Sequence, residues 1–271
     1  MKPAEPPLTP RSARVRQARQ LTRRADRAER RQFLAEGPQA VREALGVPGC
    51  VLEAFATGDA LERHADVAAR LAAGQVAVHL CEDQALASLA GSVSPQGLVA
   101  VCGFVDVSLG EALDGDTRLV TVGAHVRDPG NAGSVIRCAD AAGADAVVLA
   151  GSSVDAYNDK VVRASVGSLF HLPLVVGTTV EATISALHDR QFTVLAADGA
   201  ATETLDGLLE TGHLAGRVAW VFGNEAWGLS DEDKGRCDRV VAVPIYGRAE
   251  SLNVATAAAV CLYATARAQR G

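Results

Sequence analysis

The chain holds 271 residues, 48% hydrophobic but only 4% aromatic, with 26 Lys and Arg against 32 Asp and Glu for a net charge of −6. This length supports one large or two ordinary domains around a core of Ala, Val and Leu, the texture of an α/β protein with buried parallel strands. No apolar run reaches the ~18 residues of a membrane span, the N-terminus lacks a signal-peptide core, and six scattered cysteines without a CxxC pair disfavour a disulfide framework or zinc site. A soluble cytoplasmic protein with reduced thiols is expected.

The charge is unevenly distributed. Residues 1–31 carry ten Lys and Arg against three acids, a balance of +7, and the rest of the chain carries −13. An arginine-rich arm on an acidic body suits a polyanion such as nucleic acid, or else a solvated tail. The arm is expected to be mobile, or helical and weakly packed, and removable without loss of the fold. Next, "FLAEGPQAVREAL" (33–45) reads as a short strand or turn and then a helix with Pro38 in its first turn. "VLEAFAT" is a strand, 59–73 a helix, "VAVHLC" a strand, 82–90 helical and "QGLVAVCGF" (96–104) a strand. These elements make an α/β domain over 32–105. The polar, turn-rich stretch 106–117 reads as a linker to a second domain, 118–271.

In that second domain "RLVTVGAH", "DAVVLAG", "LPLVVG", "FTVLAAD", "VAWVFG" and "RVVAVPI" are mostly continuous apolar runs separated by helices. Such runs predict a parallel sheet covered on both faces, whose ligands bind beyond the carboxyl ends of the strands. Three strand exits there are unusual. In "HVRDPGNAGSVIRCADAAGAD" (125–145), Asp128, Pro129 and Gly130 form a turn, Asn131 can cap the following helix, and Gly133 permits close backbone approach. Arg137, under two turns in, could lean back toward the helix N-terminus and meet a phosphate there, or be a surface arginine. In "VFGNEAWGLS" (221–230) a buried strand stops at Gly223, followed by Asn224, Glu225, Trp227 and Gly228, either a ligand contact or a tight polar turn. In "YGRAESLNVATAAAV" (246–260), Glu250, Ser251, Leu252 and Asn253 crowd the corner before an alanine-rich helix, more polar groups than one cap needs. No GxGxxG follows a strand, and no GxxxxGK phosphate loop occurs.

Taken together and in this order, the three exits resemble the SpoU (TrmH-like) branch of the SPOUT RNA methyltransferases. The first motif of that family spaces an asparagine, a glycine and an arginine like Asn131, Gly133 and Arg137. Its second is matched by Gly223, Asn224, Glu225, Gly228 and Leu229, and its third by Glu250 to Val254. The start of the first domain resembles the substrate-binding domain common in this branch, so the resemblance runs from about residue 30 onward and leaves the arm outside it.

The resemblance implies a C-terminal SPOUT domain, a parallel sheet with helices on both faces and a trefoil knot, joined to a smaller N-terminal α/β domain like a ribosomal protein that docks RNA. It implies transfer of a methyl group from S-adenosylmethionine to a ribose 2′-hydroxyl, without a metal, by a homodimer whose site is completed across the interface. Cofactor contacts fall on Gly223, Asn224, Val243, Ile245, Ser251 and Leu252. Arg137 would engage the target phosphate and help activate the hydroxyl, with Asn131, Glu225, Ser251 and Asn253 orienting it, the ribose and the cofactor. Arg11, Arg14, Arg16, Arg19, Arg23 and Arg24, with Arg137, would contact RNA, ribosomal large-subunit RNA being favoured over transfer RNA. A non-methylating RNA-binding protein on the same fold and a dehydrogenase on an ordinary doubly wound sheet are the alternatives.

Overall fold

The computed structural model describes residues 6–271, so the first five residues of the expected arm lie outside the described residues. The strands are β1 (Gln32–Glu36), β2 (Val51–Ala56), β3 (Ala77–Leu80), β4 (Leu98–Gly103), β5 (Leu119–Ala124), β6 (Ala146–Ala150), β7 (Leu174–Val176), β8 (Thr193–Ala197), β9 (Glu203–Thr204), β10 (Val218–Phe222) and β11 (Arg239–Ala242). The helices begin with α1 (Ala13–Gln20), α2 (Arg24–Arg30), α3 (Pro38–Ala44), α4 (Gly58–Arg63), α5 (Ala65–Ala73) and α6 (Asp83–Ala87). They continue with α7 (Leu109–Ala112), α8 (Pro129–Ala142), α9 (Asp159–Ser165), α10 (Val180–His188), α11 (Leu205–Glu210), α12 (Asp231–Arg236) and α13 (Val254–Arg270). They divide into two units, one of residues up to Val105 with Tyr157–Phe170, the other of Asp106–Ala156 with His171–Gly271.

The first unit is a four-stranded sheet in the order β1-β4-β2-β3, antiparallel except for the β2–β3 pair. The basic segment is part of it. Val15, Ala18 and Leu21 recur every three residues along α1, so one helical face is apolar, and all three are buried against Phe55, Leu86, Val99 and Val101. Arg27 is 4% exposed, and its guanidinium donates to the carbonyls of Leu21 and Thr22, each at 2.9 Å, satisfying acceptors that the end of α1 leaves open. The segment is therefore helical as expected but firmly packed, and its removal would strip an apolar layer from the sheet. The expected single helix over 59–73 is broken at His64, whose backbone leaves the helical region (φ −118°, ψ 54°). Tyr157–Phe170, between β6 and β7 in sequence, also belongs to this unit. Tyr157 stacks on Phe104 with centroids 3.8 Å apart, and its hydroxyl accepts from the Val105 N–H at 2.9 Å.

The second unit is a seven-stranded sheet in the order β7-β6-β5-β10-β8-β11-β9, parallel in every pairing. Alternate residues of β10 show why its run is apolar throughout. Ala219 and Val221 pack with Ile184 and Leu187 of α10, while Trp220 between them donates its indole N–H to Thr265 of α13 at 2.9 Å. The stretch read as a linker is likewise built in: Ser108 and Glu111 form a capping box on α7, and Ala112 and Leu113 are buried. The last apolar run pairs only through Ala242, and Val243 to Ile245 leave the ladder at Pro244, which has no N–H to donate. Strand order reverses direction between β5 and β10, and a crevice at the carboxyl ends of those two strands follows.

Arg27→Ala leaves two interior carbonyls without their charged donor, and we expect it to lower stability by about 2 kcal/mol, read as a reduced midpoint in urea unfolding.

Candidate functional site

Three chain segments meet beyond those strand ends. Helix α8 starts at Pro129, and the carboxylate of Asp128 accepts from the Asn131 N–H at 2.7 Å. Asp128 is thus the N-cap; Asn131, expected to cap, sits inside the first turn with its side chain left for other work. The loop after β10 requires glycine at position 223, because a Cβ there would overlap the carbonyl carbon of Gly228. Asn224 and Gly228 exchange N–H to carbonyl hydrogen bonds in both directions at 2.9 Å, with Gly228 at φ +70°. This closes a small ribbon whose free corner carries Glu225, Ala226 and Trp227.

Glu225 receives three donors from the other loop. Its oxygens accept from the Arg127 N–H at 3.2 Å, the Asp128 N–H at 3.1 Å and the Asn131 side-chain amide at 3.1 Å. A carboxylate is favoured here because backbone N–H groups at a helix start point toward it. Asn131 in turn accepts from the Asn253 amide at 2.9 Å, and the Asn253 carbonyl oxygen caps α13 by accepting from Ala255 at 2.9 Å. A single hydrogen-bonded chain thus links Glu225, Asn131 and Asn253. Asn224 is buried, its side chain donating to the His125 carbonyl and accepting from Ala226, each at 2.8 Å. It shapes the loop from within.

Beside this chain lies a cavity of about 520 Å³. Gly223, Asn224, Glu225, Val243, Ile245, Ser251, Leu252 and Asn253 all line it, joined by Glu250 and Trp227. Sequence reading missed Asp198, Gly199 and Ala200 at the exit of β8, which form another wall. The Asp-Gly pair closing "FTVLAADGA" was the available signal, since it is the same kind of turn at a strand end. The Ala200 N–H, with help from Lys234 3.0 Å away, holds the Asp198 carboxyl below the usual carboxylate range.

Arg137 is not part of this assembly. It is exposed on α8 and makes no hydrogen bond or ion pair among the described residues. Six residues of helix turn it roughly 120° away from Asn131, so the expectation that Asn131, Glu225, Ser251 and Asn253 orient it is not met within one chain. Ser251 likewise forms no side-chain hydrogen bond among the described residues. Among those residues, no group of three or more His, Cys, Asp or Glu is placed to hold a metal ion, and no helix is long and apolar enough to cross a membrane.

The model of the SpoU rRNA methylase family matches residues 118–263, spanning all three segments, and that of the MRM3-like substrate binding domain matches residues 12–100. The chain belongs to the SpoU rRNA methylase family. The substrate-binding match takes in α1 and α2, so the resemblance does extend over most of the basic segment. Among SpoU relatives, the chain is similar to the 23S rRNA (guanosine(2553)-2′-O)-methyltransferase RlmP of Bacillus subtilis, with 34% identity covering 92% of this chain and 94% of that protein. A crystal structure of an RNA 2′-O ribose methyltransferase superposes with a TM-score of 0.82 at 30% identity, covering 98% of this chain and 99% of the other. The SpoU methyltransferase AviRb from Streptomyces viridochromogenes, in complex with AdoMet, gives 0.82 at 27% identity over 95% and 98% of the two chains.

In this SpoU chain, Gly223→Ala places a methyl group inside the Gly228–Leu229 backbone. We expect a loss of about 1–3 kcal/mol, measured by urea unfolding.

Proposed function

We propose that the chain transfers a methyl group from S-adenosylmethionine to a ribose 2′-hydroxyl of large-subunit ribosomal RNA, working in the cytoplasm as a homodimer whose catalytic domain is threaded as a trefoil knot. The observation that carries this reading is the Glu225–Asn131–Asn253 chain bordering a cavity walled by the second and third motifs. Support for the substrate class comes from RlmP, named for the 2′-O position of a 23S ribosomal guanosine, and for the cofactor from the AdoMet complex of AviRb.

The residues present fit that cofactor. A cavity of about 520 Å³ has the size of a site for a nucleoside-like ligand. Val243, Ile245 and Leu252 offer apolar walls for a purine, while Asp198, Glu225 and Glu250 give acidic character suited to a cationic ligand. Bound there, S-adenosylmethionine supplies an electrophilic methyl group. The chain supplies position and charge. Gly223, Asn224, Ser251 and Leu252 hold the ligand through their backbone and walls, and Asn131, Glu225 and Asn253 keep the three loops in register so that the hydroxyl meets the methyl in line. Ser251, whose hydroxyl is uncommitted, orients the ribose.

The guanidinium fork of Arg137 binds the target phosphate and stabilises charge developing on the hydroxyl. Its exposure on α8, which packs against α13, suits a dimer in which each protomer completes the other's site. Val260 and Tyr263, exposed three residues apart on α13, give that face the apolar content a symmetric contact needs. Arg11, Arg16, Arg19, Arg23 and Arg24 are exposed and their side chains make no hydrogen bond or ion pair among the described residues, which leaves them for RNA phosphates; Arg14, already bonded to Glu53 at 2.8 Å, contributes less.

The test is transfer of radiolabelled methyl to separate pools of unmodified ribosomal and transfer RNA. Label on ribose in the ribosomal pool supports the reading, and label confined to transfer RNA changes the substrate. No transfer and no cofactor binding would leave a non-methylating RNA binder. Arg137→Ala should keep cofactor affinity near normal and lose transfer by about 10²–10³. Changing Arg16, Arg19, Arg23 and Arg24 together to Gln should weaken RNA binding and flatten its log–log salt dependence by about 0.7 for each phosphate no longer neutralised, as measured by filter binding over a salt series.

A further inference from the structure

The two tryptophans of the chain occupy opposite environments. Trp220 is fully buried, with its indole N–H bonded to Thr265. Trp227 is 55% exposed, at the rim of the cavity that Gly223, Ser251 and Leu252 line. A lone exposed apolar residue needs no explanation, but this one has company. The guanidinium carbon of Arg127 lies 5.1 Å from the centroid of its ring. The backbone on both sides is fixed: the Asn224–Gly228 bonds close the ribbon bearing Trp227, and the Arg127 N–H is held by Glu225. An indole with a cation over it, open surface left, and little freedom in its backbone is a stacking platform for a π-system. Preorganisation of this kind spares the ordering cost when a ligand arrives.

We propose that Trp227, backed by Arg127, stacks on an RNA base at or beside the nucleotide whose ribose enters the cavity. This rests on the methyltransferase reading above and adds how the substrate is gripped. A base must leave its helical stack to lie on an indole, so the platform selects an unpaired nucleotide. Because every base has a π-face, it tolerates sequence. Arg127 supplies a cation close enough to the platform to attract the phosphate of the stacked nucleotide. Specificity for one site must then come from docking elsewhere, which suits a protein with a separate substrate-binding domain.

The experiment uses the full chain with labelled S-adenosylmethionine and unmodified ribosomal RNA, comparing wild type, Trp227→Phe and Trp227→Ala. Trp227→Ala should raise KM for RNA roughly ten- to a hundredfold while moving the S-adenosylmethionine Kd less than twofold, and Trp227→Phe should recover most of the loss. In wild type, Trp220 is too buried for acrylamide to reach, so quenching reports Trp227 alone, and a short single-stranded RNA should protect it. An unchanged KM in Trp227→Ala, or no protection by RNA, overturns the proposal. A weaker S-adenosylmethionine Kd with RNA KM unchanged does so too and assigns the ring to the cofactor's adenine. If wild type transfers no methyl group, the proposed function fails, while quenching still decides whether RNA covers the indole.

Discussion

The site depends on what one carboxylate holds. Glu225 stands at the corner of a five-residue ribbon that has no core of its own, and it takes three N–H donors from the loop after β5. Without that acceptor, the Arg127 and Asp128 amides lose their partner and the first turn of α8 loses the charge its dipole favours. The influence runs further, since the Asn131 amide donates to Glu225 and its oxygen is then directed at Asn253. The start of α13 and the start of α8 are therefore held through one side chain that spends its donor and acceptor on different partners. Charge-assisted hydrogen bonds of this type are about twice as strong as neutral ones, which explains how an exposed loop can keep a defined shape.

The arginines at the N-terminal side show how one composition serves two purposes. Arg27 is buried and closes the end of α1, Arg30 bonds Gln17 and Gln20, and Arg14 pairs with Glu53 beside His79. Arg16, Arg19, Arg23 and Arg24 carry charge outward. The structural members fix the helices that carry the others, so this charge stands on a packed surface and not on a loose tail. Under the proposed function, phosphate contacts from such a packed surface keep more of their binding free energy than contacts from a disordered tail.

The parallel sheet and the three loops were legible because their signals are local: continuous apolar strands, glycine where backbones touch, and polar residues at strand ends. Gly223 is a clear case, since both its place in the sequence and the packing of Gly228 require it. What was not legible depends on partners distant in sequence. The three-residue apolar period at Val15, Ala18 and Leu21 is short and crowded by arginines, so charge masked a helix that belongs to the core. Asp128 and Asn131 are both good caps, and only the start of α8 at Pro129 decides between them. The wall at Asp198 follows from β8 lying beside β10 and β11, an order the linear sequence does not display.

The stretch Tyr157–Phe170 carries a consequence for biosynthesis. Phe33, near the beginning, packs 4.8 Å from Tyr157, and Glu36 pairs with Arg163, so the smaller unit borrows a piece of chain coded well past its own last strand. A ribosome translating this message cannot complete that unit when Val105 emerges. β5, α8 and β6 must be made first, and the early sheet waits with one aromatic face uncovered. Truncated transcripts ending near residue 105 would accordingly produce sticky, aggregation-prone fragments, and a screen for soluble expression of the substrate-binding half alone should graft 157–170 back onto it.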